Sequence, residues 1–143
     1  MIDLRTISDL LIVDLKKNIG ELKTVDAHER EFDESTAQSL VLLTPFVLVR
    51  YGGGTPEESE RTASGGSGVK KRWFFLTVGA QSLRSKKEAQ LSCYDMLMAL
   101  SERYDGATVL GEGEAIVLMY EGDEFLFSQQ GLMVYRVALS YYD

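Results

Sequence analysis

A chain of 143 residues is the size of one domain, 1–143, and can bury roughly two-thirds of its unfolded surface without a metal or a disulfide. Hydrophobic residues make up 45% of it, which fits an ordered globular protein, and its formal charge of −7 makes it a poor partner for nucleic-acid phosphates. The single cysteine, Cys93, excludes an internal disulfide, and no run approaches the ~18 apolar residues of a membrane span. The opening MIDLRTISDLLIVDLKK carries acids at Asp3, Asp9 and Asp14 and no uninterrupted apolar core, so it does not read as a signal peptide. A reducing cytoplasm is the expected setting.

Residues 3–18 have the pattern of a helix, with Leu4, Ile7, Leu11, Leu15 and Ile19 on one face at spacings of three and four. Gly20 ends it, and Lys16 and Lys17 suit the negative end of the helix dipole. Leu22–Ala27 is a short strand candidate, followed by a polar connection that contains His28 and Phe32. Ser35-Thr36-Ala37-Gln38 forms a capping box for a second helix, which Pro45 stops. Phe46–Tyr51 is an interior strand that Gly52-Gly53-Gly54 is expected to break. No large apolar residue lies between Tyr51 and Val69, so 52–69 is expected to be a flexible Gly/Ser-rich loop with a partner to meet.

The central stretch is 69–104. Phe74, Leu76, Val78 and Ala80 alternate with Trp73, Phe75 and Thr77, so both faces are largely apolar and the strand belongs inside a sheet. Ser85-Lys86-Lys87-Glu88 is a capping box, with Ser85 expected to bond the Glu88 amide and Glu88 to reach back. Ala89, Cys93, Met96, Leu97, Leu100 and Tyr104 then make one apolar stripe, and Asp105-Gly106 supplies a stop. Ala115–Tyr120, Phe125–Phe127 and Leu132–Tyr142 read as strands, with turns at Glu121–Glu124 and at Gln130-Gly131. The class is therefore α+β: about three helices gathered on one face of a mainly antiparallel sheet of about five strands.

Residues able to do chemistry are few. His28 lies in a polar connection without a second His or Cys to complete a zinc site. Cys93 reads as a small buried hydrophobe. Glu57 and Glu58 fall in the loop, where nothing fixes their geometry. Gly65-Gly66-Ser67-Gly68-Val69-Lys70-Lys71 lacks the Ser or Thr of a phosphate loop and leads into a strand, and no G-x-S-x-G elbow occurs. Trp73, Phe74 and Phe75 beside basic residues could form a base-stacking platform, but core aromatics suit an acidic chain better. No catalytic residue, cofactor or metal is expected.

The charges are unevenly placed. Lys70, Lys71, Arg72, Arg84, Lys86 and Lys87 cluster around the central strand and its helix, while Glu112, Glu114, Glu121, Asp123 and Glu124 follow without a base among them. Solvated patches are the plain reading. The sharper one is that the basic patch of one copy meets the acidic patch of the next.

The order of motifs carries more. An amphipathic helix and a short strand precede Glu31-Phe32-Asp33-Glu34, then a short helix runs into Leu42-Leu43-Thr44-Pro45 and Phe46-Val47-Leu48-Val49-Arg50-Tyr51-Gly52-Gly53. Continued through strand Trp73–Gln81, the helix after Arg84 and strand 132–142, this order resembles the Mu-type phage neck and tail family of tail terminator or tail-completion proteins. The resemblance implies a non-enzymatic virion protein, made in the host cytoplasm, that forms a ring, usually a hexamer, at the head-proximal end of the tail. Its partners would be other copies of itself, the tail-tube protein, a sheath where the tail has one, and the head connector, with DNA passing through the lumen unbound. A head-completion or connector protein is the neighbouring alternative, and a small ligand-binding or enzymatic α+β domain is the rival from another class.

Overall fold

The computed structural model describes residues 3–20, 22–28, 33, 44–56, 69–82, 85–111 and 116–142; of residues 56, 69, 70, 86 and 107 it describes the backbone. Among these, two helices pack on one six-stranded sheet. The elements run α1 (Leu4–Asn18), β1 (Thr24–Ala27), β2 (Phe46–Pro56), β3 (Val69–Gln81), α2 (Lys86–Arg103), β4 (Asp105–Leu110), β5 (Ile116–Gln129) and β6 (Leu132–Tyr142). The sheet order is β1-β2-β3-β6-β5-β4. Every neighbouring pair is antiparallel except β1 and β2. The two strands with apolar residues on both faces, β2 and β3, lie inside the sheet as their composition requires.

Both helical stripes meet the same sheet face. Ile7, Leu11, Leu15 and Ile19 of the first helical segment are buried, and so are Ala89, Cys93, Met96, Leu97, Leu100 and Tyr104. They join Val47, Val49, Phe74, Leu76, Val78, Val137 and Leu139 in one core. Asp3 caps α1 through its side chain, which accepts from the Thr6 amide at 3.0 Å. Ser85 caps α2, its Oγ accepting from the amides of Lys87 and Glu88 at 3.1 and 3.3 Å. The return half of the capping box is relayed. Glu88 accepts from the Ser82 hydroxyl at 3.0 Å, and that hydroxyl oxygen accepts from the Ser85 amide at 3.3 Å.

Four expectations change. Gly52–Gly54 do not break the strand: β2 continues to Pro56, paired with β3 through a bulge after Tyr51, and Gly53 takes φ +114° there. The acids Glu121–Glu124 do not form a turn. β5 is one strand of 14 residues, with bulges at Tyr120/Gly122 and Phe125/Phe127; Glu124 pairs with Arg136 of the adjoining β6, and Glu121 reaches Lys71 of β3 beyond it. Asp105-Gly106 ends the helix but opens the edge strand β4, with Gly106 at φ +93°. Among the described residues the sheet has six strands, where about five were expected. The expected helix after Ser35 and the core of the loop, 57–68, lie outside the described residues.

Candidate interaction surface

The opposite face of the sheet carries neither α1 nor α2. Alternation along the strands places Lys71, Trp73, Phe75, Thr77 and Gly79 of β3 there, beside Arg50, Leu48 and Phe46 of β2 and Tyr142, Ser140, Ala138, Arg136 and Val134 of β6. Three zones follow one another along the strands. At one end Phe46, Leu48, Phe127 and Val134 form a small buried cluster of their own. The Phe46 ring lies over Gly79, where an added Cβ would come within 2.2 Å of it.

In the middle zone the Phe75 ring is flanked by two guanidiniums, with Arg50 4.9 Å and Arg136 4.6 Å from its centre. Arg136 also pairs with Glu124 across the β5–β6 ladder. Arg50 has no carboxylate partner among the described residues. A hollow of about 210 Å³ lies here, floored by Gly122 and Ala138 and walled by Glu124 and Arg136.

In the third zone apolar side chains face solvent. Val109 is 56% exposed, Val117 43%, Met119 50% and Tyr142 66%, and Val109 and Val117 sit opposite each other on β4 and β5. Trp73 is half-buried beside them. Lys71 reaches over Trp73 and Tyr142, with its Nζ 5.3 and 5.7 Å from the two ring centres. The same ammonium pairs with Glu121 at 3.2 Å, and Glu121 accepts from the Ser140 hydroxyl at 2.6 Å. The Ser140 hydrogen bond, with Lys71 next in weight, holds the Glu121 carboxyl below the usual carboxylate range.

The charged residues singled out from the sequence are thus scattered. Lys71 and Glu121 meet within one chain, Glu124 meets Arg136, and Asp123 accepts from the Tyr120 hydroxyl. Arg72 lies on the helix side of the sheet and donates to the Tyr51 hydroxyl at 2.8 Å. Lys87 is exposed in the first turn of α2. Lys70 and Lys86 begin β3 and α2 with only their backbones described, and Arg84, Glu112 and Glu114 lie outside the described residues.

A second acidic feature escaped the reading of charge clusters. Glu88, Asp95 and Glu102 recur every seven residues on the outer side of α2, and all three are exposed. Next to them run Leu91, 49% exposed, Met98, 61% exposed, and Tyr94, 42% exposed. The spacing of seven was the available signal.

Polar side chains also gather at two places on the helix side of the sheet. A cleft of about 570 Å³ opens where β1 ends beside β2, lined by Arg5, Ser8, Asp9, Arg50 and Tyr51 among others. Between the helices, the buried carboxylate of Asp14 accepts from Arg103 Nε and Nη2 at 3.1 and 2.6 Å, from the Tyr104 hydroxyl at 2.7 Å and from Asn18 at 3.1 Å. Burial opposes the charge on Asp14, but the hydrogen bonds from Arg103 and Tyr104 outweigh it and leave the pKa below its ordinary value. Every partner of this carboxylate belongs to α1 or to the end of α2, so its work is to join two helices. Cys93 is buried, its thiol donating to the Met133 carbonyl at 3.4 Å, and burial pushes its pKa up to about 11. Among the described residues no three His, Cys, Asp or Glu side chains are grouped to hold a metal ion, and no helix is long and apolar enough to cross a membrane.

No protein-family model matches the chain, and no curated protein sequence matches it.

Proposed function

We propose that this chain is a non-enzymatic tail terminator that assembles into a ring, usually of six, on the head-proximal end of a phage tail. The reading rests on the order of motifs that resembles the Mu-type neck and tail family. The observation that carries it onto the folded chain is the exposed apolar zone of Val109, Val117, Met119 and Tyr142 on a sheet face without α1 or α2. Side chains of this kind in one contiguous zone are what a protein partner covers. A ring uses two different patches of one subunit, and its closure limits the number of copies. A formal charge of −7 suits a lumen through which DNA slides without adhering.

Polymerising the tail-tube protein with and without this chain tests the proposal. Tubes of limited length, each with a ring at one tip by electron microscopy, are expected. A ring that leaves the tube alone and binds the head connector would move the assignment to a head-completion protein. The rival ligand-binding reading draws on the cleft beside α1, whose volume of about 570 Å³ lies in the range of small-molecule sites. It requires a monomer or dimer that neither caps nor binds the tube.

A further inference from the structure

We propose that the ring contact, which rests on the terminator reading, is made by the outer face of α2 in one copy seated on the sheet face opposite α1 and α2 in the next. The two surfaces match in shape of composition. The sheet offers an apolar zone, Val117, Met119 and Tyr142, beside a zone where Arg50 and Arg136 flank Phe75; Arg136 is paired with Glu124, and Arg50 has no carboxylate partner among the described residues. The helix offers an apolar stripe, Leu91 and Met98, beside the acidic stripe Glu88, Asp95 and Glu102. Laid together, apolar meets apolar and the acids meet Arg50 and its neighbours.

Charge also selects against symmetric pairing. Two copies joined helix to helix would set Glu88, Asp95 and Glu102 against their own counterparts. Two copies joined sheet to sheet would bring the Arg50 guanidiniums together. Both place like charges across the contact, which disfavours it. The helix-to-sheet contact is heterologous: each copy spends one patch and keeps the other, so the assembly grows head to tail until it closes.

Two single variants test this, Met98→Glu on the helix and Met119→Glu on the sheet. Both positions are at least half exposed, so the fold should persist, which circular dichroism and melting temperature would check. Each variant alone should self-associate roughly thirtyfold more weakly than the natural chain, the effect of losing one interface anchor. Mixed in equal amounts and followed by sedimentation velocity, they should form a heterodimer and nothing larger. The intact α2 of one variant then meets the intact sheet of the other, and both outer patches are blocked. Variants that assemble as well as the natural chain would overturn this contact and leave the ring reading standing. Variants that lose assembly but stay monomeric on mixing would show that the contact is not helix to sheet. A natural chain that remains monomeric, alone and with tube protein, would overturn the ring and this contact together.

Discussion

Replacing Asp14 with Ala removes a carboxylate that accepts four hydrogen bonds from three residues. Tyr104 is fully buried, so its hydroxyl would be left unpaired at about 1–3 kcal/mol. The Arg103 side chain is 33% exposed and can turn to water, so its loss lies below the ~3–5 kcal/mol of a fully buried pair. Together these place the destabilisation of Asp14→Ala at about 3 kcal/mol. Asp14→Asn keeps an acceptor for Tyr104 and should cost less than the Ala variant. The pH dependence has a definite sign. The folded pKa of Asp14 is lowered, so the unfolded chain binds its proton more readily. The stability it contributes is complete above the unfolded carboxylate pKa and is lost as pH falls through the folded one. Urea titrations followed by circular dichroism from neutral to acid pH would measure both effects. Midpoints for the natural chain and Asp14→Ala that agree at neutral pH, with equal acid slopes, would refute the reasoning.

Gly79→Ala places a methyl group 2.2 Å from the ring of Phe46, which is 1% exposed and has nowhere to move. A loss of about 1–3 kcal/mol is expected in urea melts, and Phe46→Leu in the same chain should cost less than it does alone. Cys93, with its pKa raised to about 11 by burial, should resist a thiol reagent at pH 8 and react fully once the chain is unfolded in urea. Rapid labelling of the native chain would contradict its placement on the sheet-facing side of α2.

The helices and interior strands were legible because their information is local. Leu11 and Leu15 follow the period of a helix, and Phe74 to Ala80 follow that of a strand, so each segment declares its buried face. What was missed depends on partners distant in sequence. Asp14 reads as one more surface acid, yet its partners Arg103 and Tyr104 stand 89 and 90 residues away. The run Glu121–Glu124 has the composition of a turn, but its ladder with Arg136–Ala138 of β6 makes it a strand, and Lys71 and Arg136 pair with its acids. The edge strand β4 begins with Asp105-Gly106, a local stop signal, and exists because β5 offers it a ladder. The same holds for the candidate surface. A basic run and an acidic run looked like two patches awaiting a partner, but pairing within the chain joins Lys71 to Glu121. The exposed stripes of α2 and of the sheet face opposite α1 and α2 emerge once burial assigns the other sides of these elements.

The solution mass by light scattering, for the chain alone over a range of concentrations and again with tail-tube protein, tests self-assembly most directly. A closed species of six copies of the 16.0 kDa chain is expected in at least one of these conditions. A monomer in both, with no binding to the tube, would contradict it.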